Sequence, residues 1–168
     1  TWRLRMDGID ALLSAEPYTN EQVLWSNDSG EEALEIAIAF DKNMDWYSAV
    51  ETDANKVYFR WFDAETSGHV ISEYEGARSP RLCLDDKRKE ADRFNDVLLF
   101  YLRDTNLYYR QQRERFSVER DMGSYPAYKY LGRVGLTNTF RLQVELLEDY
   151  KEVYKPSPTW GNCATQDS

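Results

Sequence analysis

Asp41-Lys42-Asn43-Met44-Asp45 sets oxygen-bearing side chains at positions 1, 3 and 5 of a would-be calcium loop. An EF-hand then needs Gly at position 6 and a bidentate Glu at position 12, where this chain has Trp46 and Thr52, so the segment is expected to be a turn. The run Tyr108-Tyr109-Arg110-Gln111-Gln112-Arg113-Glu114-Arg115-Phe116 holds a different chemistry. On one extended strand, alternation would put Tyr109, Gln111, Arg113 and Arg115 on one side and Tyr108, Arg110, Gln112 and Glu114 on the other. Arg and Tyr anchor interfaces because they combine contact area with directed hydrogen bonds, which makes Tyr108, Arg110, Arg113 and Arg115, with Trp160 beyond them, the candidate partner interface. A solvated strand covered by long side chains is the other reading. Trp25, Trp46, Tyr47, Trp61 and Tyr74 likewise admit two readings, a stacking platform for sugar rings or packing between the layers of a β domain.

Enzymatic constellations are missing. His69 is the single histidine, which removes Ser–His and Cys–His activation within the chain and multi-histidine metal sites; it is expected to open a strand after Gly68. Cys83 and Cys163 are 80 residues apart, too few and too distant for a disulfide framework or a CxxC metal pair, so two reduced thiols are expected. Thirty Asp and Glu residues guarantee accidental carboxylate pairs, and glycosidase chemistry depends on a spatial separation that sequence does not show. No catalytic residue, cofactor or metal is assigned, and a non-enzymatic role is expected.

The formal charge of -9 is unevenly spread: residues 1–80 hold 6 Lys+Arg against 16 Asp+Glu, and residues 81–168 hold 15 against 14. Phosphate backbones repel such an acidic half, so no direct nucleic-acid partner is expected. The imbalance fits a molecule docking acidic face to basic face in an assembly, and equally a well-solvated surface. Apolar runs such as Val97 to Leu102 stop after about six residues where a membrane helix needs ~20, so no membrane insertion is expected. The N-terminal Thr1-Trp2-Arg3-Leu4-Arg5 lacks the apolar stretch of a secretory signal, which predicts synthesis in a cytoplasm.

The elements that would position these residues are mostly strands. The clearest are Asp96 to Arg103 and Leu107 to Arg113, a hairpin around a three-residue turn, Asp104-Thr105-Asn106, whose last residue would take the left-handed conformation. The first arm is apolar on both faces and so should be central. Other strand candidates are Trp2 to Met6, Gln22 to Trp25, Ala33 to Phe40, Trp46 to Val50, Lys56 to Phe62, His69 to Tyr74, Arg81 to Leu84, Tyr128 to Val134 and Thr139 to Leu147, most of them alternating. Short helical turns are expected at Ile9 to Ala15, Asp86 to Phe94 and Glu148 to Tyr154. The 168 residues therefore predict one all-β domain over 1–154, an antiparallel β-sandwich or barrel-like fold with a few short helical turns. A polar Pro/Ser-containing extended C-terminal tail over 155–168 follows it.

Three segments carry a family resemblance: Gly76-Ala77-Arg78-Ser79-Pro80-Arg81-Leu82-Cys83-Leu84-Asp85-Asp86, the hairpin Asp96 to Arg113 with its Leu-Tyr-Tyr-Arg-Gln-Gln arm, and Tyr130-Leu131-Gly132-Arg133-Val134-Gly135-Leu136-Thr137-Asn138-Thr139-Phe140-Arg141-Leu142. Over residues 76–147, about half the chain, they resemble virion structural proteins of tailed bacteriophages. The resemblance implies a non-enzymatic role in the tail tip, baseplate or neck, with other virion proteins as partners in a symmetric oligomer and the virion as location. It carries over no catalytic residue. The alternative function is a carbohydrate-binding β-sandwich used in host adsorption, with a host-surface glycan as partner.

Overall fold

Leu99 and Phe100 are neighbours in one strand, face opposite ways, and are both fully buried. Their strand, β9 (Asp96–Arg103), is buried from Asp96 to Leu102. In the computed structural model, which describes residues 2–7, 10–15, 21–26, 30–85, 96–136 and 142–148, β9 is the middle of a layered all-β arrangement. It lies in a four-stranded antiparallel sheet ordered β11-β10-β9-β8, with β8 Ala77–Asp85, β10 Asn106–Gln111 and β11 Arg120–Ser124. Val97, Leu99 and Tyr101 pack on one side with Tyr47, Val57, Phe59 and Trp61. Those residues come from a second four-stranded sheet, β4 (Ala33–Phe40), β5 (Trp46–Thr52), β6 (Lys56–Asp63) and β7 (Gly68–Glu75), joined in sequence order. On the other side Leu98, Phe100 and Leu102 meet Leu131, Val134, Val144 and Leu146 of the hairpin β12 (Tyr130–Leu136) and β13 (Leu142–Leu147). At ~1.5–3 kcal/mol for each large apolar side chain buried, this two-sided burial makes β9 the strand that buries the most apolar side chains among the described residues.

A third sheet, β1 (Trp2–Asp7), β2 (Asp10–Ala15) and β3 (Glu21–Trp25), is a meander. Arg60 on β6 reaches it, donating from Nη1 to the Val23 carbonyl at 2.9 Å. The outer face of the β4–β7 sheet is itself partly apolar: Trp46 and Val50 gather Ile36, Ile38 and Phe40, while Ala37 and Ala39 turn to the inner core.

β8 joins the layers. Its ladder with β9 shifts between Arg78 and Arg81, and Ser79 there takes a positive φ of 51°. The bulge frees Ser79 to accept from the Leu131 amide at 2.8 Å and to donate its own amide to Glu51 at 2.6 Å. Arg81 donates to the carbonyls of Gly132 and Leu131 at 2.8 and 2.5 Å and pairs with Glu35 on β4 at 2.8 Å.

Several expectations are corrected. Asp10 to Ala15 is a strand, not a helical turn, because it pairs with β1 on one side and β3 on the other, and two ladders outweigh the helix preference of Ala and Leu. Arg103 pairs with Asn106, so the β9–β10 turn has two residues, and Asp104, not Asn106, takes the positive φ of 54°. The three-residue turn with a left-handed Asn occurs instead between β5 and β6, where Asn55 has φ 60° and donates its amide to Thr52. Strand β11 had no apolar alternation to announce it; all five of its residues are exposed. The strand of β10 stops at Gln111, and a 3₁₀ turn, Gln112–Glu114, is the only helix among the described residues. No sheet closes into a barrel there; the fold is sandwich-like, with open edges. The helical expectation at Asp86 to Phe94 and the tail 155–168 lie outside the described residues, as does Glu148 to Tyr154 apart from Glu148, which is a bend.

Candidate functional site

The turn that ends β10 is built by one buried ring. Phe116 is 2% exposed and packs edge-on to Phe59 at 4.6 Å, with Trp61 at 5.5 Å and Tyr47 at 6.1 Å. To insert it the chain leaves the strand and turns through Arg115 and Phe116, both with positive φ of 52° and 53°. A left-handed non-glycine residue costs ~1–2 kcal/mol. Burial of a Phe side chain, ~1.5–3 kcal/mol, and ring pairs of ~0.5–1.5 kcal/mol each offset two such residues. This is why the alternation expected through Arg115 fails.

The same turn closes a pocket of about 570 Å³ at the end of the sandwich. Asp41, Lys42 and Asn43 from the β4–β5 turn line it, with Trp61 to Glu65 from the end of β6, Asp96 from the start of β9, and Gln112, Arg113 and Arg115. Three carboxylates here are nearly buried, Asp41 at 6%, Asp63 at 3% and Asp96 at 2% exposure. Each is matched. Asp96 pairs with Arg113, and Asp63 pairs with Arg115 at 2.6 Å while Glu65 takes the other end of that guanidinium at 2.5 Å. Asp41 accepts from the amides of Asn43 and Asp45 at 2.8 and 3.0 Å, from the Tyr47 hydroxyl at 3.1 Å and from Gln112 at 3.3 Å. Gln112 also accepts from the Val97 amide at 2.9 Å and donates to the Tyr47 hydroxyl at 2.6 Å, so one side chain straps three elements.

Burial raises the Asp96 carboxyl above its ordinary value even though Arg113 pulls it down. Burial, then the charge of Asp41, pushes the Tyr47 hydroxyl far up, so it serves only as a neutral donor and acceptor. Of the calcium-loop residues, Asp41 is spent in the same way: its two oxygens satisfy its own turn, Tyr47 and Gln112. Among the described residues no group of three or more His, Cys, Asp or Glu side chains is arranged to hold a metal ion. What the pocket offers a partner is the half-exposed guanidinium edges of Arg113 and Arg115 beside Trp61 and Phe62.

The structure separates the candidate interface residues. Arg113 and Arg115 meet at the pocket. Arg110 turns inward: its side chain is 13% exposed, donates to Tyr101 and Glu119 at 2.9 Å and to the Phe116 carbonyl at 2.8 Å, and lies 4.5 Å from the Tyr74 ring centroid. Tyr108 stacks on Tyr101 at 5.9 Å under the Arg103 guanidinium. Trp160 lies outside the described residues. Sequence reasoning missed Asp63, Asp96, Gln112 and Glu119; the one local signal, a charge at the end of an apolar run, marks Asp96 before Val97 to Leu102, and Gln112 and Glu119 carry none.

The aromatic residues weighed as a sugar platform divide as well. Trp46, Tyr47 and Trp61 are buried, and His69 covers Trp46 at 4.0 Å between ring centroids. Tyr74 faces inward, stacked on Tyr101 at 5.5 Å, and the Trp25 side chain lies outside the described residues. Burial raises the Cys83 thiol to about 12, with Asp85 adding to it, which removes it as a nucleophile near neutral pH. Among the described residues no helix is long and apolar enough to cross a membrane. No protein-family model, curated protein or solved structure matches the chain.

Proposed function

We propose that the chain is a non-enzymatic structural component of a tailed-bacteriophage virion, in the tail tip, baseplate or neck, working through subunit–subunit interfaces with other virion proteins. One observation carries the assembly role. Among the described residues, Val23 on β3, Leu34 on β4, Ile71 on β7, Met122 on β11 and Leu142 on β13 are exposed large apolar side chains, and each of these strands is the edge of its sheet. Sheet edges already offer unpaired backbone groups, and apolar side chains beside them favour contact with another chain. The buried acids of the pocket support the same role, since each is bound to a side chain or amide that locks the fold. The particle and the location within it come from the segment resemblance over residues 76–147.

The test is mass spectrometry of intact, purified tailed-phage particles from the native source, followed by electron microscopy with a label on this chain. Peptides of the chain in stoichiometric amount and a label at the tail or neck are the expected result. A chain missing from intact particles, or turnover of a small substrate by the isolated polypeptide, defeats the reading.

A further inference from the structure

Edge strands are normally blunted by bulges, prolines, lysines or a covering element. β4 has a register shift between Ala33 and Glu35 and is flanked by β8 through the Glu35–Arg81 pair. β8 carries a bulge and Pro80, β11 is five residues long with a broken ladder, and the β12–β13 ladder breaks between Leu131 and Val134. β1 has an unbroken ladder over six residues and carries Arg3 and Arg5. β7 shows no bulge, proline, lysine or arginine, and its exposed charges are Glu73 and Glu75. Its eight residues pair with β6 without interruption, from Lys56↔Glu75 to Asp63↔Gly68, and its sequence Gly-His-Val-Ile-Ser-Glu-Tyr-Glu holds no Pro, Lys or Arg.

We propose that β7 is a self-association edge: two copies of this chain pair their β7 strands antiparallel about a two-fold axis, joining their β4–β7 sheets into one eight-stranded sheet. The proposal deepens the assembly reading and takes its purpose from it, by naming the contact and the partner. A two-fold axis perpendicular to the sheet puts the same face of both copies on the same side, so outward residues must oppose outward residues. Two registers keep the length of the strand, one centred on Ile71 and one on Ser72. The first sets Ile71, 53% exposed, against Ile71 of the second copy, and His69 against its Glu73. On the inward side it sets Gly68 against Tyr74, an aromatic covering the residue with no side chain. The second register sets Ile71 against a glutamate, so the first is favoured. The His69 ring is already oriented, stacked on Trp46 with Nε2 3.2 Å from the Trp46 carbonyl oxygen, and little further order is lost when an acid meets it.

The experiment is sedimentation equilibrium of the full chain across a concentration series, with Ile71→Lys beside it. A doubling of the 19.8 kDa mass with rising concentration, abolished by Ile71→Lys while the melting temperature of the dilute chain holds, is expected. In a Cys163→Ser background, Ile71→Cys should yield a covalent dimer on mild oxidation and Ser72→Cys should not. A 19.8 kDa mass at every concentration overturns the inference, as does a dimer indifferent to Ile71→Lys or cross-linked through Ser72 instead of Ile71. A chain present in particles but monomeric alone defeats this inference and leaves the assembly reading standing. A dimer sensitive to Ile71→Lys from a chain missing from particles does the reverse.

Discussion

Arg110 donates from Nη2 to Glu119 at 2.9 Å, which fixes the connection between the 3₁₀ turn and β11 against the strand β10 that precedes it. Glu119 also accepts from the Tyr101 hydroxyl and from Arg103, so one carboxylate gathers two strands of the sheet. Burial alone would raise its carboxyl; the hydrogen bonds from Tyr101, Arg103 and Arg110 outweigh burial and hold it below its ordinary value. A depressed folded value means that the stability it contributes is present above the unfolded carboxylate range, ~4.3, and is lost as pH falls through the lower folded value. Glu119→Gln should therefore cost ~1.5–3 kcal/mol at neutral pH, the worth of hydrogen bonds to a charged group. Urea denaturation at several pH values checks this. The gap between the two proteins should close on acidification below about pH 4, and a gap that widens there contradicts the assignment.

Asp96 works with the opposite sign. Its carboxyl is raised by burial and restrained only by Arg113, whose own side chain is half exposed. Arg113→Ala leaves a nearly buried carboxylate without its counterion, at a cost of ~1–3 kcal/mol at neutral pH. A raised folded value contributes stability fully present below the unfolded pKa and lost as pH rises through the folded one. The deficit of Arg113→Ala should then shrink on acidification to about pH 4 and be largely repaired at neutral pH by the added change Asp96→Asn. A double-mutant cycle by chemical denaturation measures it; a deficit independent of pH and of Asp96 argues for lost packing instead.

Why some of this was visible in the sequence and some was not is clear from individual residues. Val97 to Leu102 is apolar at every position, a pattern that fits only a strand covered on both faces, and β9 is that strand. Turn chemistry was visible as a type and not as a place: the left-handed asparagine expected at 106 is found at 55, because loop length depends on strand register, which a hairpin sequence constrains weakly. The arginine run hid its geometry because Phe116, the residue that ends the strand, acts through Phe59 and Trp61, both distant in sequence. Asp63 and Asp96 become one site with Arg115 and Arg113 only once β6, β9 and the 3₁₀ turn share an end of the sandwich.

The left-handed Arg115 supplies a backbone test. Its side chain is about half exposed, so removing the pairs to Asp63 and Glu65 is common to Arg115→Ala and Arg115→Gly, and the two variants differ mainly in the conformational cost at φ 52°. In an ordinary strand or helix glycine is the worse residue; here it should be the better one by ~1 kcal/mol. Thermal or urea melts of the pair measure the difference. Alanine equal to or more stable than glycine means that the chain does not turn through a left-handed residue at 115.

Cys83 reports on the layer between β8–β11 and the β12–β13 hairpin. It is buried with Leu98, Phe100 and Leu131, and burial holds its thiol up to about 12, so at neutral pH almost none is thiolate and little of it is accessible. In a Cys163→Ser background the native protein should react with a thiol-specific disulfide reagent only as fast as it opens, and should release one equivalent promptly in denaturant. Leu131→Ala, which opens a cavity beside Cys83 and costs ~2–5 kcal/mol, should speed labelling far more than Leu34→Ala, an exposed edge substitution within ~0.5 kcal/mol of neutral. Prompt labelling of the native wild-type layer would mean that the hairpin does not cover β9, and the two-sided burial of that strand would have to be abandoned.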